Sequence, residues 1–155
     1  MLFFSELIGK RVFIDDQRYV GKLSDIIFLN EDTSKITKIV VLDNKKTRHE
    51  VPIATLRQVN KHLVVSKSGE STKKENEISV ATVLLDRQII DLVGNKVVRV
   101  NDVVLQDSAQ LSVSGIDIGI LGIFRRVGIE HIIQKTAKFL HFEIPMQLLS
   151  WSDIL

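Results

Sequence analysis

The fold is decided by the stretch Val20-Gly21-Lys22-Leu23-Ser24-Asp25-Ile26-Ile27-Phe28-Leu29, because a related stretch returns further along the chain. The counterpart is Val97-Val98-Arg99-Val100-Asn101-Asp102-Val103-Val104-Leu105, which lies 77 positions later. Few residues are identical, but the order of apolar, basic and acidic positions is kept without a gap. A repeat of this length predicts two folding units of the same kind.

The first half has the pattern of a small, mainly β structure. Its central stretch alternates and then becomes continuously apolar, and Gly21 predicts a bulge or a sharp bend. Pro52 is expected to stop the fourth strand, and one helical turn is expected at 54–57. The other expected strands cover 12–14, 36–42, 48–51 and 63–65.

The second half repeats this strand order and then diverges. Strands are expected at 88–90, 96–106 and 110–118, and a last one at 147–151. Apolar residues recur at helical spacing between 120 and 142, where Gly128 is expected to separate two short helices.

A polar stretch lies between the two halves. Residues 66–77 contain no large apolar side chain, so the sequence predicts little burial there. We therefore expect a first unit at 1–66, a linker at 67–79, and a second unit at 80–155 with a helical insertion at 120–142.

The composition excludes several classes of function. The chain has 155 residues, no cysteine, and 21 basic against 19 acidic residues. Disulfides and thiol chemistry are therefore excluded, and the near-neutral charge gives no broad field for nucleic acid. The opening apolar run is too short for a signal peptide, and no run of about 18 apolar residues predicts a membrane span. We expect a cytoplasmic protein that binds no nucleic acid.

No group of residues is typical of an enzyme. The four histidines lack metal-ligand spacing, and neither a Ser/His/Asp set nor a glycine-rich phosphate loop is present. We therefore expect no catalytic residues and no resident cofactor.

Two aspartates, Asp25 and Asp102, occupy equivalent places in the two halves. They are candidate Mg²⁺ ligands, because this ion takes one or two carboxylates and keeps its waters. The alternative is structural: each carboxylate accepts backbone N–H bonds, or pairs locally with the equivalent basic residues Lys22 and Arg99. Repetition in both halves favours the structural role.

Arg125 and Arg126 are candidate contacts for an acidic partner surface or acidic lipid. Adjacent helical residues point about 100° apart, so we expect one arginine to face the protein. The alternative is that both are solvated or paired internally. Asp117 is expected to cap the helix that begins near Ile120.

Together these motifs resemble a tandem pair of PRC-barrel domains. The family's opening segments correspond to Leu7-Ile8-Gly9-Lys10 and Gly21-Lys22-Leu23-Ser24-Asp25-Ile26, and its closing step to Val51-Pro52-Ile53. The resemblance implies two small, strongly bent antiparallel β-barrels that pack as a pseudo-symmetric pair.

A longer series in the second half is similar to the PRC-barrel region of MgtE-type magnesium transporters, which carry CBS domains. Its last and longest segment is Leu121-Gly122-Ile123-Phe124-Arg125-Arg126-Val127-Gly128-Ile129-Glu130. The resemblance implies a non-enzymatic regulatory or assembly module. Its protein partner would be the helical or CBS region of such a transporter, which would bring the module to the membrane. Whether Mg²⁺ binds this chain, and whether it forms a homodimer, stays open.

An alternative function comes from RimM-type proteins of ribosome maturation, whose PRC-barrel module binds a ribosomal protein. That resemblance implies a protein-binding adaptor. It is disfavoured because this chain starts directly with a PRC-like segment and not with the separate N-terminal domain of those proteins. The chain also ends where the helical domain begins in the transporters, so a split subunit, a fragment and a free-standing relative are all open.

Overall fold

A computed structural model describes residues 1–31, 33–69, 74–107 and 110–154. The first half contains β1 (Leu2–Phe3), α1 (Phe4–Leu7), β2 (Arg11–Ile14), β3 (Arg18–Leu29), β4 (Ile36–Leu42), β5 (Arg48–Val59) and β6 (His62–Lys67). The second half contains β7 (Glu77–Ser79), a π-helical turn (Val80–Leu84), β8 (Gln88–Asp91), β9 (Lys96–Arg99), β10 (Asp102–Gln106), β11 (Ser112–Asp117), α2 (Ile120–Val127), α3 (Glu130–Phe139), β12 (Leu148–Ser150) and a 3₁₀ turn (Trp151–Asp153). The protein is mainly β, as the sequence predicts.

Five strands of the first half pair in a ring. β3 pairs with β4, β4 with β5, and β5 with β6, all antiparallel. β2 pairs with β3 on one side and, in parallel, with β6 on the other. Within the ring each of the five strands therefore has two paired neighbours, which leaves little free edge for another chain.

Gly21 allows β3 to bend within this ring. Its φ is 143°, and a Cβ at this position would lie 2.3 Å from the carbonyl oxygen of Leu42, so only glycine fits. Opposite Gly21 the β2–β3 register shifts between Val12 and Phe13. The bulge that the sequence predicts at this position is confirmed.

The predicted end of the fourth strand at Pro52 is wrong, and so is the helical turn at 54–57. β5 continues to Val59 because it changes neighbours at the proline. It pairs with β4 as far as Pro52 and with β6 from Ile53 onward. A residue without an N–H is tolerated where a strand leaves one ladder and joins the next.

The strands of the second half are shorter. They form a sheet in the order β1-β10-β11-β12 and a separate β8–β9 hairpin. The strand predicted at 96–106 is interrupted at 100–101, where Val100 donates to Arg87 next to β8 and Asn101 donates to Asp117 of β11. α2 and α3 lie between β11 and β12, and Gly128 ends α2 with a left-handed φ of 81°, as predicted.

Residues from both halves belong to one buried apolar cluster. Ile39 and Leu63 of the first half share it with Val103 and Ile116 of the second. Trp151 joins the cluster from the chain's last turn and contacts the edge of Phe28, with ring centroids 5.1 Å apart.

Part of the predicted linker 67–79 is regular structure. β7 pairs with the end of β3, and Ile78 packs against the core. The ammonium group of Lys38, which is buried, donates to Glu77 at 2.8 Å. This polar stretch is ordered because the Glu77 carboxylate pairs with the buried Lys38 ammonium group. Composition alone does not reveal such a pair. Residues 70–73 of the predicted linker lie outside the described residues.

Candidate functional site

Arg125 lies at the centre of a buried ionic cluster, which we call the Arg125 cluster. Its Nη1 donates to Asp102 at 3.0 Å and to Asp117 at 3.2 Å. The Arg125 side chain is 6% exposed and both aspartates are fully buried. Of the two candidate arginines, Arg125 therefore faces the protein and is not available to a partner.

The sequence of α2 brings Arg125 to this position. Leu121, Gly122 and Arg125 share one side of the helix, because residues three and four apart lie on the same face. Gly122 lets that face come close, since a Cβ there would lie only 3.1 Å from Asn101 and Asp117 atoms.

Two further segments contact the same cluster. Glu130, in the first turn of α3, accepts from Nε of Arg125 at 3.1 Å and from Nη2 at 3.3 Å. The Cζ atom of Arg125 lies 3.4 Å from the ring centroid of Phe3, which fits a cation–π contact. Ser5 donates its hydroxyl to Asp102 at 2.6 Å. One guanidinium thus ties together the start of the chain, β10, β11, α2 and α3.

The Arg125 cluster contains more carboxylates than cations. Burial raises the pKa of Asp117, and hydrogen bonds from the Gly119 N–H and from Arg125 oppose that rise. Burial alone would lower the pKa of Arg125, but its hydrogen bonds to Asp102, Glu130 and Asp117 raise it. Arg125 is therefore charged, and the cluster depends on it for compensation.

Arg126, the second candidate, pairs with Asp86 on the other side of α2. Its two terminal nitrogens donate to the two carboxylate oxygens at 2.9 and 3.0 Å, and Arg99 adds a third bond at 2.7 Å. These arginines hold the pKa of Asp86 well below its usual range. Both candidate arginines thus have partners within the protein.

The predicted local pairs Lys22–Asp25 and Arg99–Asp102 are wrong. Arg99 contacts Asp86. Asp25 accepts the backbone N–H groups of Ile26 at 2.7 Å and Ala81 at 2.8 Å. Apart from the adjacent N–H of Ile26, these partners come from other segments, which spacing along one strand does not reveal.

The two equivalent aspartates accept corresponding bonds. Asp102 accepts the N–H of Val103 at 2.9 Å and that of Ser5 at 3.1 Å, and the Ser5 hydroxyl donates to its second oxygen. Asp25 likewise accepts the Ser79 hydroxyl on its second oxygen. The expectation that each aspartate accepts backbone N–H bonds is confirmed. In each case the hydroxyl donor and one of the N–H donors come from the segment that opens the other half.

The two aspartates do not fit a Mg²⁺ site. Both oxygens of each carboxylate already accept protein donors, and one donor to Asp102 is a guanidinium. Across residues 1–31, 33–69, 74–107 and 110–154, no three His, Asp or Glu side chains are grouped as a metal site requires.

The prediction that Asp117 caps α2 is wrong. Its Oδ1 accepts the N–H of Gly119 at 2.8 Å, and Gly119 precedes the helix. The carboxylate therefore fixes the chain just before the helix begins, and its other oxygen faces Arg125.

The opposite sides of α2 and α3 expose apolar residues, and we call this surface the α2–α3 face. No residue of α3 is buried, and Phe139 is 82% exposed. Its members are Ile120, Ile123, Val127, Ile132, Phe139 and Leu140. The sequence contains the signal: Ile120, Ile123 and Val127 recur at helical spacing on the side away from Arg125. None of these residues was a predicted site residue.

Comparison with known families identifies the first half. Residues 1–71 match the PRC-barrel domain. The matched residues include β1 to β6 and the strand ring, so this part of the chain is a PRC-barrel domain. No curated protein matches the chain. Within the described residues, no helix has the length and apolar character needed to cross a membrane.

Proposed function

We propose that the chain is a non-enzymatic regulatory or assembly module that acts with an MgtE-type magnesium transporter on the cytoplasmic side. The supporting observation concerns the segment Leu121–Glu130, whose sequence is similar to those transporters. Its inward side supplies Arg125 and Glu130 to the Arg125 cluster, and its outward side supplies Ile123 and Val127 to the α2–α3 face.

A segment with one side held inside the protein and the other side exposed suits a docking module. A surface that binds a partner gains affinity when it is already held in its bound shape. The Arg125 cluster fixes α2 against β10 and β11 and ties the start of α3 to α2 through Glu130, so the exposed apolar side chains of α2 are presented in a fixed arrangement. Contiguous exposed apolar patches of this kind mark interaction sites more often than chance exposure.

The proposed module comprises two PRC-barrel-like units in tandem, with the helical insertion at 120–142 in the second. Matching hydrogen bonds support this arrangement. The N–H of Gly9 donates to Leu23 at 2.9 Å, and the N–H of Asp86 donates to Val100 at 2.9 Å. Gly9 and Asp86, which lie 77 positions apart, both have positive φ, of 78° and 64°.

The proposed module would regulate the transporter by binding its open and closed states with different affinities. A docked module changes the open–closed balance of a transporter only if it binds one state more tightly than the other. Magnesium would act on the transporter, since Asp25 and Asp102 do not fit a metal site. The module would report on the transporter's state through its protein contacts alone.

Calorimetry tests the proposal with the whole chain and the purified helical and CBS region of an MgtE-type transporter from the same cells. We expect binding, with an affinity that changes when Mg²⁺ is added to the transporter fragment. The same chain without the fragment is the control and should show no heat with Mg²⁺. Absence of binding to the fragment, together with co-purification with ribosomal particles, would replace this function by the RimM-like adaptor.

A further inference from the structure

We infer that the α2–α3 face is a docking surface for an acidic amphipathic helix of a protein partner. The inference deepens the proposed function. It rests on that function only for the statement that the partner helix belongs to the transporter. The surface has two properties that a partner must match, an apolar centre and a basic side.

The apolar centre extends over both helices. Ile120, Ile123 and Val127 recur along α2, while Ile132 and Phe139 recur along α3, so each helix exposes a row of apolar side chains. α2 and α3 pack against each other, and Phe124 and Ile129 are joined by a backbone hydrogen bond at the turn between them. Paired apolar rows of this kind suit an amphipathic helix whose own apolar residues recur every three or four positions.

The free charge of α3 is positive. Its acidic residue, Glu130, is bound to Arg125, whereas Lys135 and Lys138 are exposed and form no ion pair with any described residue. These lysines are three apart and lie on one side of the helix, next to the apolar row. A partner with carboxylates flanking its apolar stripe would complement this side.

The same charges disfavour two other occupants. A second copy packed face to face would bring its lysines toward these lysines, which opposes self-association. Anionic membranes are bound by clusters of about four to eight basic residues. Here only Lys135 and Lys138 are free on α3, and Glu143 follows the helix with the opposite charge.

The test uses two synthetic helical peptides that share one leucine stripe. One carries glutamates beside the stripe and the other carries lysines. Fluorescence anisotropy with the whole chain should show the acidic peptide binding about tenfold more tightly than the basic peptide. Reversing the charges in the Lys135→Glu/Lys138→Glu variant should reverse this preference.

Phe139→Ser should weaken binding of the acidic peptide by about tenfold, because truncating a central aromatic contact removes much of an interface's affinity. Val93→Ser is the matched control, since Val93 is 77% exposed in the β8–β9 turn and belongs to neither helix. It should leave binding unchanged. Phe139 is exposed, so neither substitution should impair folding, and unchanged circular dichroism checks this.

Three results would overturn the inference. The first is that the chain binds both peptides equally well or binds neither. The others are sedimentation with phosphatidylglycerol vesicles that Phe139→Ser abolishes, and a dimer that Phe139→Ser converts to a monomer. The transporter fragment separates this inference from the proposed function. If the fragment binds Phe139→Ser as well as it binds the unchanged chain, the α2–α3 face is wrong and the function stands. If the acidic peptide binds as expected but the fragment does not, the function is wrong and the face stands.

Discussion

In the ring of β2 to β6, apolar side chains are enclosed by strands that each have two paired neighbours. In the segment from β10 to α3, short strands and two helices meet around Arg125 and three carboxylates. The first region is stabilised mainly by apolar burial, which has no preferred direction. The second shares the buried apolar cluster through β10 and β11, and it depends in addition on directional bonds to one guanidinium. The difference suggests that the ring serves as a scaffold, while ionic contacts fix the helices in one orientation.

The largest effect is expected from Arg125→Met. The substitution leaves Asp102 and Asp117 buried without their cation, which typically costs about 3–5 kcal/mol. Urea denaturation at about pH 7 measures the loss. Arg126→Met is the matched control, because its partner Asp86 is partly exposed, and it should cost about 1 kcal/mol or less.

The Arg125→Met defect should also depend on pH. The folded-state pKa of Asp117 is raised by burial, and Arg125 opposes that rise, so removing Arg125 should raise this pKa further. In the variant this carboxyl therefore takes up a proton still more readily folded than unfolded. Its unfavourable contribution is therefore absent below its ordinary pKa of 3.8 and grows as pH rises above that value. The defect should shrink toward acid pH, and an equal loss across the pH range would contradict ionic control of this region.

Ile39→Ala tests the other side of the comparison. Ile39 is fully buried in the centre of β4, and truncation should cost about 3 kcal/mol through lost apolar burial and the cavity left behind. Because no ionisable group is removed, the loss should be the same at about pH 5 and about pH 8. A strong pH dependence would show that the ring too relies on charge.

Ser5→Ala and Ser79→Ala sharpen the comparison between the two aspartates. Each substitution removes the hydroxyl donor of one buried carboxylate, Asp102 or Asp25. Hydrogen bonds to charged groups contribute about 1.5–3 kcal/mol, so both variants should lose about 1.5 kcal/mol or slightly more. Thermal denaturation of the pair measures this. A loss confined to one variant would argue against equivalent roles in the two halves.

The smallest effect is expected from Asp86→Asn. Asparagine tolerates the positive φ of 64° at this position, so the change isolates the charge. The ion pairs with Arg126 and Arg99 are partly exposed and should contribute about 0.5–1 kcal/mol at neutral pH. The folded-state pKa of Asp86 is lowered, so this stabilisation is present above 3.8 and is lost as pH falls below it. Added salt should also reduce the difference between the variant and the unchanged chain.

The strands of the ring were predictable because their signals are local. Alternating apolar residues and Gly21 are visible within ten residues of sequence, and the expected bulge is present. The prediction at Pro52 failed because a proline usually indicates the end of a strand. Here it marks the point where β5 stops pairing with β4 and starts pairing with β6. Sequence alone does not show which two strands one long strand will join.

The contacts of the site were less predictable because its partners are far apart in sequence. Asp25 lies 54 residues from Ser79, Arg126 lies 40 from Asp86, and Arg125 lies 23 from Asp102. The sequence does indicate that adjacent arginines on a helix must face different ways. Which carboxylates they meet depends on which segments pack beside α2. The serine donors of Asp102 and Asp25 likewise arrive with β1 and β7, which pair with the opposite halves.

The central claim is that Arg125 fixes the helical region, while the ring of β2 to β6 is stable without it. Hydrogen exchange followed by mass spectrometry on Arg125→Met tests this claim most directly. We expect the amides of α2, β10 and β11 to exchange faster than in the unchanged chain. The amides of β4, including those of Ile39 and Val41, should keep their rates. Equal acceleration in β4 and α2 would contradict the account, because it would mean that one guanidinium stabilises both regions alike.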